Sequence, residues 1–94
     1  MKNDITGKWE YKVEVLGKTM IHIIYEFFND GTYKYNNYVT GVSSNARYSV
    51  TGNRINYLDF GSVEEFSLNG NNLTMTPIRN GSPLLEYQAM YKRI

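Results

Sequence analysis

Residues 8–15 alternate without a break, with Lys8, Glu10, Lys12 and Glu14 on one row and Trp9, Tyr11, Val13 and Val15 on the other. That period of two is what a strand with one wet face and one buried face requires. Gly17-Lys18 offers a tight turn, and residues 19–28 run back with Ile21, Ile23, Tyr25 and Phe27 as the expected inner row. The other row of this strand carries Met20, Ile24 and Phe28. It predicts an apolar outer face, covered by a short helix, the N-terminal segment or a partner chain.

Asn29-Asp30-Gly31 is the strongest hairpin signal, because glycine takes the positive φ the turn demands and Asn and Asp tolerate it. Residues 32–40 follow with Tyr33 and Tyr35 inward, and a longer polar loop spans residues 41–45. Residues 46–51 place Tyr48 and Val50 inside, and residues 54–58 place Ile55 and Tyr57 there. Residues 64–68 contribute Phe66 and Leu68, residues 73–77 Leu73 and Met75, and a last strand Leu85, Tyr87, Ala89 and Tyr91. Pro77 suits an edge or a bulge.

Seven of the eight glycines fall in the predicted turns, nine to fourteen residues apart. The expected fold is therefore all-β, a small up-and-down antiparallel β-barrel of about eight strands, built as a single domain from residues 1–94. Up-and-down order puts the turns at Gly31, Gly52 and Gly70 at the same end as Trp9. The turns at Gly17, Gly41, Gly61 and Gly81 form the other end, where the longer loops make a mouth.

Composition narrows the function classes. Ten basic against nine acidic residues leave a net charge of +1, which supplies no field for nucleic acid or an anionic membrane. Cysteine is absent, so disulfides, thiol chemistry and thiolate metal sites drop out. No signal peptide or membrane span is read from Met1-Lys2-Asn3-Asp4-Ile5-Thr6-Gly7, so the chain as written reads as soluble and cytoplasmic. It reads as secreted or a lipoprotein if an export signal has been removed. His22, the single histidine, is expected on the outer row with no second ligand, so neither a metal nor a cofactor is expected.

Gly7-Lys8-Trp9 at the start of the first strand belongs to a longer series of motifs: Phe27-Phe28-Asn29-Asp30-Gly31-Thr32-Tyr33, Tyr48-Ser49-Val50-Thr51-Gly52-Asn53-Arg54-Ile55, and a closing Tyr91-Lys92-Arg93. Together they resemble the bacterial lipocalin-like domains of the calycin group, over nearly the whole chain and in order. The resemblance implies that Trp9 plugs the closed end of the barrel while a basic residue of the last strand packs across its ring. Arg93, in phase with Tyr91, is the residue that falls there. The chain is much shorter than the larger lipocalins, and short strands favour a filled interior over a wide chamber.

Nine tyrosines form the most suggestive group, since each buried phenol needs a partner for its hydroxyl. Inward Tyr25, Tyr33, Tyr35, Tyr48, Tyr57 and Tyr87 imply either a filled core with hydroxyls at a rim or a polar pocket. Asn37, Asp59 and Glu64 continue inward rows near the mouth, and Arg79 sits in a mouth loop. The leading expectation is a non-catalytic binding protein holding a small apolar or amphipathic ligand against Ile21, Ile23, Tyr35, Tyr57 and Tyr87, with Asn37, Asp59, Glu64 and Arg79 orienting it. The alternative is a protein-interaction or inhibitor module, or a homodimer, with a structural interior and a contact face at Met20, Ile24, Phe28 and Tyr38. No catalytic residues are expected, because no base, nucleophile and oxyanion donors come together; Asp59 and Glu64 are the nearest thing to a carboxylate pair.

Overall fold

The structure is a computed structural model and describes residues 5–94; Met1 to Asp4, which entered the reading of the N-terminus, lie outside the described residues. The strands are β1 Gly7–Val15, β2 Lys18–Phe27, β3 Thr32–Asn37, β4 Ser43–Thr51, β5 Arg54–Tyr57, β6 Ser62–Asn69, β7 Asn72–Arg79, β8 Ser82–Pro83 and β9 Ala89–Arg93. Each of β1 to β7 pairs antiparallel with the next, β9 inserts between β7 and β1, and the ring is thereby closed. Eight strands form the wall, and β8 is a two-residue flap paired to the edge of β7. This is the predicted all-β, closed, up-and-down barrel. Closure removes the long open edges a free meander would expose.

The registers fix one continuous inner face. Trp9 stands opposite Tyr25 and Arg93, Tyr25 opposite Tyr35, Phe27 opposite Tyr33, Tyr48 opposite Tyr57, Ile55 opposite Glu64, and Phe66 opposite Met75. Ile5, Trp9, Phe27, Ile55, Leu73 and Met75 are fully buried and make the dense part of the core. Aromatic rings fill it: Phe27 meets Tyr48 edge-on at 5.0 Å between centroids, and Tyr33 meets Tyr57 in the same way at 5.2 Å. Such pairs contribute about 0.5–1.5 kcal/mol each beyond the area they bury.

Three departures from the expected strands matter. First, the β1–β2 register slips between Tyr11 and Lys12, so that Tyr11 faces Ile23 while Lys12 faces Ile21, leaving His22 as an extra residue in a β-bulge. The bulge inverts the phase of the outer half of β2. Met20, expected outside, now stands opposite Val13 on the inner row, and Ile21, expected inside, turns out beside Lys12 at 40% exposure. His22, expected on the surface, is half-buried with its ring 5.5 Å from that of Tyr11.

Second, β1 pairs with β9 only through Trp9 and Glu10, and β2 pairs with β3 only from Ile23 onward. Residues 12–21 therefore project as a two-stranded ribbon on which Val13 is half-buried and Val15, Leu16, Met20 and Ile21 are exposed. Third, β3 stops at Asn37 and β4 starts at Ser43, so the loop expected at residues 41–45 is a turn over residues 38–42. Asn37 holds that turn by accepting from the backbone N–H groups of Val39 and Thr40.

The last strand is also shorter than its alternation suggests. Leu85–Tyr87 form a 3₁₀ turn, and Tyr87 is 65% exposed instead of facing inward. The free edge of β7 at that level is already taken: Ser82 and Pro83 pair with Arg79 and Ile78, and the Leu84 N–H donates to the Pro77 carbonyl at 2.8 Å. With no edge to join, the chain cannot begin β9 before Ala89.

Candidate functional site

The two ends of the barrel are built differently. At the closed end the Trp9 indole is fully buried, and its N–H donates to the Ile5 carbonyl at 2.8 Å. The Arg93 guanidinium lies over that indole at 4.2 Å from the ring centre and donates to the Thr6 carbonyl at 2.9 Å. Gly7, between these groups, has φ +131°, and a Cβ there would fall 2.6 Å from Arg93 Nη1. Residues 5–6 thus plug the base, whereas the sequence suggested the N-terminal segment as one cover for the outer face.

At the open end, where β9 starts late and β5 is short, a cleft of about 730 Å³ runs into the barrel. Tyr25, Tyr33, Tyr35, Tyr57 and Glu64 line it from the inner face, and Val42, Phe60, Pro77, Ile78 and Leu84 make apolar walls toward the mouth. Its volume lies in the range of small-molecule sites, roughly 300–1,000 Å³.

Glu64 is the unusual group in this cleft. It sits on the inner row of β6, opposite Ile55 of β5 and Pro77 of β7. Its Oε1 accepts from the Tyr57 hydroxyl at 2.5 Å, and among the described residues no Lys or Arg pairs with it. Burial pushes the Glu64 carboxyl above the usual carboxylate range, and the Tyr57 hydroxyl offsets part of this by favouring the charged form. The same burial raises the phenols of Tyr25, Tyr57 and Tyr91, with the nearby Glu64 charge adding to each.

The tyrosines are held in place by one another. The Tyr25 ring packs on Phe27 at 5.3 Å and lies 5.1 Å from Tyr35, 6.3 Å from Tyr57 and 5.6 Å from Tyr91. Asn37 donates to the Tyr35 hydroxyl at 3.0 Å, which ties that ring to the β3 end.

Of the residues predicted to bind a ligand, Tyr35, Tyr57, Glu64 and Arg79 line the cleft, Arg79 at its exposed rim. Asn37 supports Tyr35 without lining the cleft, and Ile23 packs against the core. Ile21 and Tyr87 point elsewhere, for the reasons given by the bulge and the 3₁₀ turn. Asp59 is not inward: the chain leaves β5 after Tyr57, and Asp59 reaches the outer side of β4, where Arg47 Nη2 lies 2.7 Å from Oδ1 and the Arg47 N–H donates to Oδ2. That guanidinium holds the Asp59 carboxyl below its ordinary value, and no Asp59–Glu64 carboxylate pair forms.

The expected contact face is broken up as well. Ile24 and Phe28 are half-buried, Ile24 between Glu10 and Asn36 and Phe28 with Lys34 Nζ 6.0 Å from its ring; Tyr38 belongs to the 38–42 turn, and Met20 is on the other side of β2. Val42, Phe60, Ile78 and Leu84 went unrecognised as cleft residues, because loop residues carry no strand phase from which to read a direction.

Among the described residues no group of three His, Cys, Asp or Glu side chains is placed to hold a metal, and no helix is long and apolar enough to cross a membrane. The molecule belongs to the class of small closed eight-stranded antiparallel barrels with one plugged and one open end. No protein-family model matches the chain, and no curated protein matches it.

Proposed function

We propose that this is a non-catalytic binding protein of lipocalin-like kind, which takes a small amphipathic molecule into the open-end cleft. The observation that carries this reading is the cleft itself, an apolar-walled space of about 730 Å³ ending on polar phenols and one carboxyl. A barrel of this strand number either fills with side chains or holds one small ligand. Support for the lipocalin-like kinship comes from up-and-down closure and from an indole beneath a guanidinium at the plugged end.

The reading is tested with Nile red, an uncharged apolar dye, added to the full-length chain. Saturable enhancement of its emission is expected, weakened strongly by Ser44→Phe, which places a ring on the cleft wall. Absence of saturable binding, or binding that Ser44→Phe leaves unchanged in a folded variant, would overturn it.

A further inference from the structure

Glu64 is a buried carboxyl with no basic partner among the described residues, set where a leucine would serve the core better. One of its oxygens is satisfied by Tyr57, and the other has no hydrogen-bond partner among the described residues. Around it stand Tyr25, Tyr33, Tyr35 and Tyr57, four π-systems whose mutual packing fixes their positions before any ligand arrives. Electron-rich ring faces attract a cation, and enclosing one with several rings is how quaternary ammonium groups are recognised. A carboxylate in the same enclosure supplies the countercharge.

From the placement of Glu64 among the four tyrosines at the floor of the cleft, we infer that the ligand is an organic cation, an alkylamine or quaternary ammonium compound. Its charged head meets Glu64 and the rings, and its hydrocarbon body lies along Val42, Phe60, Ile78 and Leu84. Arg79 does not oppose this, because it is exposed at the rim, where water and salt screen it. The inference rests on the proposed binding role and adds the sign of the ligand's charge to it. Rigid rings favour affinity by lowering the ordering cost of binding.

The test compares octyltrimethylammonium, octanol and octanesulfonate by calorimetric titration of the full chain, with Nile red run in parallel. The cation is expected to bind more tightly than octanol by about tenfold or more, with the sulfonate weakest. Glu64→Gln should erase that preference while leaving octanol binding in place. Tyr35→Ala, at a half-buried ring, should weaken the cation more than the alcohol, and keeps the test valid if the Glu64 variant fails to fold. Equal binding of the three compounds, preference for the sulfonate, or a cation preference untouched by Glu64→Gln or Tyr35→Ala would overturn the inference even where Nile red binds. Failure of Nile red and all three octyl compounds would overturn the binding role along with it.

Discussion

Replacing Gly7 by alanine isolates the closed end in a single methyl group. Gly7 has φ +131°, a region that L residues rarely adopt, and the new Cβ would lie 2.6 Å from Arg93 Nη1. Forcing a side chain into such a conformation costs about 1–3 kcal/mol. The clash itself is relieved if the flexible guanidinium moves, but it then leaves the Trp9 ring and the Thr6 carbonyl. The ring contact is worth about 0.5–2 kcal/mol, and a hydrogen bond from a charged donor about 1.5–3 kcal/mol. Gly7→Ala is therefore expected to lose about 2–5 kcal/mol, a large share of the ~5–15 kcal/mol that a domain typically has.

The same substitution in an Arg93→Ala background should lose only the backbone part, about 1–3 kcal/mol. The difference between the two backgrounds measures what Arg93 contributes from its position over the indole. Urea unfolding followed by the emission of Trp9, the single tryptophan, reads both states directly. With a slope of about 1–3 kcal/mol per molar urea, the wild-type background should show a midpoint lowered by about 1–2 M. Equal losses in the two backgrounds, within about 0.5 kcal/mol, would refute the reasoning, because independent sites add to that precision.

Two further outcomes are expected. Leu16 has φ +52° at the tip of the β1–β2 ribbon and is 98% exposed, so Leu16→Asn sacrifices no packing and relieves a conformation that costs most L residues about 1–2 kcal/mol; thermal melting should rise by several degrees, and an unchanged or lower midpoint would count against the turn geometry. Because burial raises the Glu64 carboxyl, the folded state holds its proton more tightly than the unfolded chain, for which the value is 4.5. Stability therefore falls as pH rises through the window from the unfolded value up to the raised folded one. Glu64→Gln keeps an acceptor for Tyr57 and should be more stable than wild type at neutral pH, with the advantage gone below about pH 4; parallel urea curves at pH 4 and pH 7 check this, and a gap of the same size at both would sink it.

Much of the barrel was legible because its strands are marked on both faces. In β1 every second residue is charged, so the inner row is unambiguous, and Trp9 could be placed with Arg93 by counting phase along β9. The stretch Met20-Ile21-His22-Ile23-Ile24 has no such marking: both rows are apolar, nothing anchors the register, and a one-residue bulge exchanges the faces without leaving a trace in the pattern. Leu85-Glu86-Tyr87-Gln88-Ala89 alternates well, yet its pairing edge is occupied by β8, a competition between segments that periodicity does not encode. Glu64 was placed inward by counting from Phe66 and Leu68. Its isolation from any basic partner is a property of the assembled ring and could not be read along the chain.

The contrast between the two ends bears on why position 64 is acidic. At the plugged end the strong polar groups are matched: the Trp9 indole on Ile5, the Arg93 guanidinium on Thr6, and the Tyr48 hydroxyl on the Phe28 carbonyl at 2.7 Å. At the open end a carboxyl is taken out of water with one phenol for company, which lowers stability whenever it is ionised. A cation in the cleft removes that penalty, so ligand binding and folding are linked through the same side chain. Saturating ligand at about 100 times its dissociation constant stabilises a fold by about 2.7 kcal/mol in any such site. If octyltrimethylammonium is that kind of ligand, a fixed concentration of it must raise the melting temperature of wild type more than that of Glu64→Gln, since only the former retains the charge the ligand neutralises; an equal rise in both would separate the carboxyl from binding altogether.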